Sequence, residues 1–325
     1  MNFFNVHFAN ALCGLACTLA VLALAQGPIY PNKPITLVVA YPPGGSTDLT
    51  GRMLGTELSA RLGVPVVIDN VGGAGGAIGA QKVANAVPDG YTLLVGANNE
   101  VAINKLVTNT VKYEPKDFTP IGLISSQPLV LVASPKTGVR DVEGFISLVQ
   151  KNPGKFSYGS SGVGTSLHLA GEMVKQQAGL FMTHIPYRGV APLTNDLVGN
   201  NLDFAVFVLS SGLSHIRSGR VVALGTTEAK RSALTPDIPA LAENANLKGL
   251  DIGVWFVLMG PAKLPEPVFA RLKKALDDTL LSPEFRQKME ASSSTVAAPG
   301  LDIKKFLATE TAKYKKTVEF ANIKD

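Results

Sequence analysis

Short apolar runs alternate with amphipathic stretches along almost the whole chain. Residues 35–40 are typical of a buried strand, and the helical pattern that follows repeats Leu54, Leu58 and Leu62 at four-residue spacing. The strand pattern returns at 64–69 and 91–96, with a helical stretch between them. This βαβ order predicts the α/β class, with mainly parallel sheets flanked by helices.

The same alternation starts again in the second half, so we expect two lobes. Strands are predicted at 121–125 and 129–133, with Ser126-Gln127-Pro128 breaking the run between them. The later predicted elements are strands at 156–159, 183–187, 202–208, 221–225 and 253–258, and helices at 141–151, from Leu167, and at 266–279, 283–291 and 303–322. We predict one lobe from 27–126 plus 251–325 and the other from 127–250. The chain then crosses twice between the lobes, which makes a hinge beside a ligand cleft.

The first 25 residues predict a secretory signal peptide. They contain no Lys, Arg, Asp or Glu, and their apolar stretch ends in Ala23-Leu24-Ala25, a small-x-small cleavage pattern. Both cysteines, Cys13 and Cys17, lie in this leader, and neither follows a convincing lipoprotein box. We therefore expect a periplasmic protein, cleaved near Ala25.

The charge of the chain indicates small anions rather than nucleic acid as ligands. The formal net charge is +5, but the basic residues are spread out and Trp255 is the only tryptophan. A nucleic-acid surface would need a basic stripe with aromatic side chains between the charges. We expect a monomer that does not bind nucleic acid.

Residues 41–48 read Tyr-Pro-Pro-Gly-Gly-Ser-Thr-Asp, directly between a predicted strand and a predicted helix. Gly44 and Gly45 let the main chain approach a ligand closely, after Pro42 and Pro43 stiffen the exit from the strand. Hydroxyl residues follow where the first helical N–H groups are free to bind an anion. A plain strand-to-helix turn explains these eight residues equally well.

Residues 158–166 repeat this arrangement in the second half of the chain. Tyr-Gly-Ser-Ser-Gly-Val-Gly-Thr-Ser follows a strand and opens a helix. Some of its hydroxyls serve only as helix caps. Two such turns, one in each lobe, predict opposed cradles that face one small anion.

Other kinds of site fit the chain poorly. The glycines at 72–79 miss the dinucleotide spacing, because Ile78 stands where the third glycine belongs. Residues 159–163 resemble a nucleophile elbow but lack its final glycine. His168, His184 and His215 have no partners at metal-ligand spacing. We therefore predict no enzyme activity, no cofactor and no metal, and a hydrolase ranks third among the functions considered.

Several motifs in order resemble the periplasmic solute receptors of tripartite tricarboxylate transporters, the Bug-type family. They are Tyr-Pro-x-Lys-Pro-Ile (30–35), Pro-Pro-Gly-Gly-Ser-Thr-Asp (42–48), Gly-Ala-Gly-Gly-x-Ile-Gly (73–79), Pro-Asp-Gly-Tyr-Thr-Leu (88–93), Asp-Phe-x-Pro-Ile (117–121), Gly-x-Gly-Thr-Ser-x-His-Leu-Ala-Gly-Glu (162–172) and His-x-Pro-Tyr-Arg-Gly (184–189). The resemblance implies a two-lobed, type II-like periplasmic binding fold that closes on a carboxylate and presents it to a membrane permease.

The resemblance also implies which residues hold the carboxylate, largely through amides, hydroxyls and ordered water. The predicted ligand-binding residues are Pro43, Gly44, Gly45, Ser46, Thr47, Asp48, Asn98, Ser160, Gly164, Thr165, Ser166, His168 and Phe207. Phe207-Val208-Leu209 stands where the family often has a polar or acidic residue. If Phe207 faces the cleft, the ligand is a hydrophobic or aromatic carboxylate rather than an amino acid.

The leading function is therefore capture of a small carboxylate for transport, without chemistry on the ligand. The alternative is a periplasmic sensor that uses the same fold to signal to a membrane kinase. Neighbouring permease genes would favour the first function, and a neighbouring sensor kinase would favour the second.

Overall fold

The computed structural model describes residues 30–323, so the predicted leader and both cysteines lie outside the described residues. The strands are β1 (Ile35–Val39), β2 (Val66–Asn70), β3 (Thr92–Ala97), β4 (Phe118–Ala133), β5 (Ser157–Ser160), β6 (Thr183–Pro186), β7 (Phe204–Val208), β8 (Val222–Thr226), β9 (Gly253–Pro261) and β10 (Thr295–Val296). The α-helices are α1 (Ser46–Leu62), α2 (Ala77–Ala84), α3 (Asn104–Val107), α4 (Val142–Lys151), α5 (Ser166–Gln177), α6 (Val190–Val198), α7 (Leu209–Arg217), α8 (Glu266–Leu280), α9 (Pro283–Ala291) and α10 (Ile303–Ala321). A π-helical turn (Asn99–Ile103) joins β3 to α3.

The strands form two sheets that share one long strand. In the first lobe the order is β2-β1-β3-β9-β4-β10, and in the second it is β8-β4-β7-β5-β6. The α/β class and the two lobes are confirmed. The sheets are mixed rather than mainly parallel, because β4 and β9 run antiparallel to their neighbours.

The predicted break at Ser126-Gln127-Pro128 is wrong, since β4 continues for 16 residues through both lobes. Its first part pairs with β9 as far as Pro128↔Gly253, and its second part pairs with β7 from Leu129↔Val208. Proline has no N–H to donate to a ladder. Pro128 lies where β4 changes partners, and the missing donor is tolerated at that change.

The two crossings between the lobes lie side by side. The start of β9 pairs with β4, and the Ile252 N–H donates to the carbonyl oxygen of Thr227 at 2.9 Å. Helix α10 is hydrogen-bonded to this crossing, because the Tyr314 hydroxyl donates to the Gly253 carbonyl oxygen at 2.9 Å. The indole N–H of Trp255 donates to Glu310 at 2.9 Å.

Both predicted cradle turns stand at the ends of strands, where the two lobes meet. The first turn joins β1 to α1, and the second joins β5 to α5. The buried face of α1 carries the predicted Leu54, Leu58 and Leu62, which pack on the first sheet. None of the helices within residues 30–323 combines the length and the apolar character needed to cross a bilayer.

Candidate ligand site between the two lobes

A small cavity of about 30 Å³, which we call the lobe cavity, lies between the two turns. The residues that line it come from both lobes and from the start of β9: Tyr41, Pro42, Gly45, Ser46, Thr47, Ala97, Asn99, Ser161, Ser166, Leu167, Val190, Val208 and Val254. No side chain in this lining carries a charge, so the polar groups offered to a ligand are neutral.

The first turn presents the start of α1 to the cavity. Ser46 and Thr47 are the first two residues of α1, and the earliest N–H groups of a helix have no partner inside it. The positive end of the helix dipole also lies there. This side of the lobe cavity therefore suits an anion.

Asp48 stabilises the first turn instead of facing a ligand. Its carboxylate accepts hydrogen bonds from the Gly44 N–H, the Arg52 guanidinium and the Asn70 amide, each at 2.9 Å. Burial raises its pKa, but these bonds outweigh burial and hold the pKa of Asp48 below its ordinary value. Gly44 takes φ = 88°, a conformation that favours glycine.

The second turn presents the start of α5. The Thr165 side chain caps this helix by accepting from the His168 N–H, and it donates to the Gly162 carbonyl oxygen at 2.9 Å. The Ser166 N–H donates across the lobe boundary to Asn99 Oδ1 at 2.8 Å. The Ser166 Oγ is fully buried and has no hydrogen-bond partner among residues 30–323. It is a polar atom available to a ligand.

Two stacked imidazoles support this turn from below. The rings of His168 and His184 are 3.8 Å apart and nearly parallel. The Gly164 N–H donates to His168 Nδ1 at 3.1 Å, and His184 Nε2 lies 2.8 Å from Ser160 Oγ. Burial lowers the pKa of His168 to about 4, and burial together with His168 lowers the pKa of His184 to about 3. Both rings are neutral at neutral pH and offer no positive charge to a ligand.

The structure brings only part of the predicted set to the cavity wall. Gly45, Ser46, Thr47 and Ser166 line the lobe cavity. The other predicted residues of the two turns are not in its lining, and all but Pro43 form hydrogen bonds that hold the turns in shape: Pro43, Gly44, Asp48, Ser160, Gly164, Thr165 and His168.

Asn98 and Phe207 were predicted to bind the ligand, but neither lines the lobe cavity. Asn98 is buried at the crossing, where its amide donates to the Gly253 carbonyl oxygen at 3.0 Å and to the Tyr314 hydroxyl. Phe207 is fully buried in a second apolar cluster with Leu193 and Leu197. Successive residues of a strand point to opposite faces, so Val208 lines the cavity and Phe207 does not.

Several lining residues were missed by the sequence prediction. Asn99 donates to the Tyr41 hydroxyl at 2.5 Å, and that hydroxyl donates to the Gly75 carbonyl oxygen at 3.1 Å. Ser161 stood inside the predicted turn and could have been named with Ser160. The apolar wall of Leu167, Val190, Val208 and Val254 has no signal that distinguishes it from ordinary core.

A buried carboxyl group, that of Glu100, lies beside the lining residue Ala97. Glu100 Oε2 accepts from the Ala97 N–H at 2.5 Å, and Oε1 has no partner in the described part of the chain. Burial raises the pKa of Glu100 to about 7. A Cβ at Gly76 would lie 1.8 Å from Oε1, so this glycine leaves the room that the carboxyl group occupies.

The glycine-rich segment that resembled a nucleotide site lies against the second lobe. A Cβ at Gly75 would lie 3.5 Å from the Val163 carbonyl oxygen, and one at Gly162 would lie 3.9 Å from Gly75 Cα. Together these loops border an open space of about 350 Å³, the outer cleft. The outer cleft shares Tyr41, Pro42 and Ser161 with the lobe cavity.

Comparison with known proteins identifies the family. Residues 50–323 match the tripartite tricarboxylate transporter family receptor, TctC. Protein BugT of Bordetella pertussis is 30% identical over 301 residues, which cover 91% of this chain and 92% of BugT. A solved structure from R. palustris with adipate has a TM-score of 0.87 at 30% identity, covering 91% of this chain and 99% of that one. MatC from Rhodopseudomonas palustris with bound malate has a TM-score of 0.83 at 27% identity, covering 89% of this chain and all of MatC.

The match spans most of the chain, and the solved structures share its two-lobed architecture. The fold, with its cavity between lobes, is that of periplasmic binding proteins. The chain therefore belongs to the TctC family of periplasmic receptors of tripartite tricarboxylate transporters.

Proposed function

We propose that this receptor captures a small carboxylate in the lobe cavity and delivers it to the membrane permease of a tripartite tricarboxylate-type transporter. One observation carries the proposal: the starts of α1 and α5 line the same cavity from opposite lobes. Two helix N-termini favour an anion without a buried countercharge, whose desolvation would be costly. The adipate and malate in the related structures are carboxylates of the same kind.

The composition of the wall supports a ligand with an apolar body. Leu167, Val190, Val208 and Val254 would contact carbon atoms, and no acidic side chain lines the cavity to pair with an ammonium group. We therefore propose a carboxylate with an apolar segment rather than an amino acid, although Phe207 does not contribute to the wall. Preferred binding of aspartate or glutamate over unsubstituted acids would contradict this choice.

The remaining features of the proposal follow from the receptor role. The protein is exported with cleavage near Ala25, acts as a monomer, and releases its ligand unchanged. The lobes comprise residues 27–126 plus 251–325 and residues 127–250. Closure is a hinge motion that the ligand favours through contacts present only between closed lobes.

The Ser166→Ala variant tests the site directly. If the buried Ser166 hydroxyl hydrogen-bonds the carboxylate, its removal should weaken carboxylate binding about tenfold in calorimetric titration. The folded state should lose no stability, because the hydroxyl has no hydrogen-bond partner among residues 30–323. A carboxylate that binds should also raise the melting temperature of the parent chain by mass action.

Ser125→Ala is the matched control. The Ser125 Oγ is also buried without a partner among residues 30–323, but Ser125 lies in β4 and does not line the lobe cavity. Its variant should bind carboxylates like the parent chain. Equal affinity in both variants, or no binding by the parent chain across mono-, di- and tricarboxylates and aromatic acids, would refute the proposal.

A further inference from the structure

The outer cleft contains a single charged side chain. Its lining includes Tyr41, Pro42, Ser161, Tyr187, Arg188 and Gly189. Of these only Arg188 is ionised at neutral pH. The guanidinium is exposed, and no carboxylate among residues 30–323 lies within ion-pair distance of it. A cation at the mouth therefore stands outside an uncharged inner cavity.

The residues on either side of Arg188 are anchored. The Tyr187 N–H donates to the Ser160 carbonyl oxygen at 3.0 Å, and its hydroxyl donates to Asp196 at 2.7 Å. Gly189 takes φ = 111°, and a Cβ there would lie 3.1 Å from Pro42 Cδ. The main chain of Arg188 is thus held at the boundary between the lobes, close to the first turn.

The lobe cavity and the outer cleft are adjacent and share part of their lining. Tyr41, Pro42 and Ser161 border both spaces. To reach the outer cleft, a ligand with one carboxylate between the helix starts has to pass these three residues. The far end of such a ligand meets the only charge in either lining.

Resting on the proposed function, we propose that Arg188 binds the second carboxylate of a dicarboxylate whose first carboxylate lies in the lobe cavity. The planar guanidinium matches a carboxylate through two parallel hydrogen bonds. The apolar wall contacts the carbon chain between the two acid groups. Arg188 thereby selects dicarboxylates over monocarboxylates of the same length.

Calorimetric titration of the whole chain tests whether Arg188 binds a second carboxylate. The titrants are straight-chain dicarboxylates of increasing length and monocarboxylates of matching length. Arg188→Gln should weaken binding of the preferred dicarboxylate about five- to tenfold, a range suited to a partly solvated ion pair. It should leave the matching monocarboxylate unchanged. Arg188→Lys should restore part of the loss, and added salt should weaken dicarboxylate binding more in the parent chain than in Arg188→Gln.

Arg140→Gln is the matched control, because Arg140 is exposed on the second lobe and lines neither space. It removes the same charge and should change neither affinity. The inference is overturned if Arg188→Gln weakens both ligand classes equally, weakens neither, or matches Arg140→Gln. If the parent chain binds no carboxylate of either series but binds another carboxylate, only the inference fails. If it binds no mono-, di-, tri- or aromatic carboxylate, the proposed function fails as well, so the two failures are distinguishable.

Discussion

At the scale of single residues, ionisable groups near the lobe cavity are kept out of its lining. Asp48 would repel a carboxylate, but its oxygens accept three hydrogen bonds within its own turn and with Asn70. His168 and His184 are held neutral beneath the second turn. Recognition in the cavity thus depends on hydroxyls, amides and main-chain N–H groups, which need no counterion.

Glu100 differs from these groups because its charge changes near neutral pH. Its folded-state pKa of about 7 is above the ordinary value of 4.5, so it stabilises the native state at low pH and loses this effect as pH rises through 7. Glu100→Gln removes the buried charge. At about pH 8 the variant should unfold with a free energy up to about 3 kcal/mol larger than the parent chain, and at about pH 4, below the ordinary carboxyl pKa, the two should agree.

Urea denaturation at the two pH values measures this difference. Exposed Glu319→Gln is the control and should leave the pH dependence of the parent chain unchanged. His168 and His184 act in the opposite direction, because their depressed pKa values remove stability as pH falls from 6.5 to about 4. As pH falls below 6.5, the free energy of unfolding should therefore decrease more steeply in Glu100→Gln than in the parent chain. A variant less stable than the parent chain at about pH 8 would contradict this account.

Single residues also show how far the site could be predicted. Gly45, Ser46, Thr47 and Ser166 were predicted because turn chemistry is local and visible in sequence. Asn98 was predicted and Asn99 was missed, since the π-helical turn after β3 decides which amide faces the cavity. Phe207 and Val208 differ only in strand face, and that choice depends on packing with distant helices.

At the scale of elements, most helices and strands could be predicted from hydrophobic periodicity. Strand β4 could not, because Ser126-Gln127-Pro128 has the composition of a turn, and pairing with β9 and, at Ser126, with β10 keeps it extended. The antiparallel direction of β9 has the same origin. Its partner is more than a hundred residues away along the chain, and local patterns carry no information about such pairing.

Helix α10 and its Tyr314 allow a prediction about the crossing. The Tyr314 hydroxyl accepts from the Asn98 amide and donates to the Gly253 carbonyl oxygen. Tyr314→Phe therefore leaves one buried Asn98 N–H without its acceptor, while the direct bond from Asn98 to the Gly253 carbonyl oxygen remains. We expect the free energy of unfolding to fall by about 1–3 kcal/mol. We also expect faster hydrogen exchange of the amides at the start of β9.

Tyr30→Phe is the control, because it also removes one hydroxyl bond to a carbonyl, that of Gly90, at 2.8 Å. It should lower stability modestly and leave exchange at β9 unchanged. Equal hydrogen exchange at the start of β9 in both variants would mean that Tyr314 does not stabilise the crossing.

At the scale of the whole molecule, the lobes meet through close contacts that a methyl group would disturb. Gly164 takes φ = 72°, and a Cβ there would lie 2.4 Å from Val107 Cγ2 across the boundary. Valine is stiff at χ1 and cannot easily move aside. Gly164→Ala should therefore oppose closure and weaken carboxylate binding at least about tenfold.

Gly179→Ala separates this effect from backbone strain. Gly179 takes φ = 63°, and a Cβ there would have nothing within 4 Å, so both variants lose about 1 kcal/mol of stability to the left-handed conformation. Only Gly164→Ala should lower the affinity, and it should keep a larger radius of gyration in small-angle scattering with carboxylate present. Parent-like affinity and compactness in Gly164→Ala would show that the contact does not limit closure.

The paired crossing of β4 and β9 has a mechanical consequence. A two-stranded ribbon resists stretching and sliding, because either would break its ladder of hydrogen bonds, yet it twists and bends at little cost. Residues 126–128 and 253–255 form such a ribbon between the lobes. The motion of one lobe relative to the other is thereby restricted to rotation about this two-stranded hinge. Each closure returns the starts of α1 and α5 to the same facing positions.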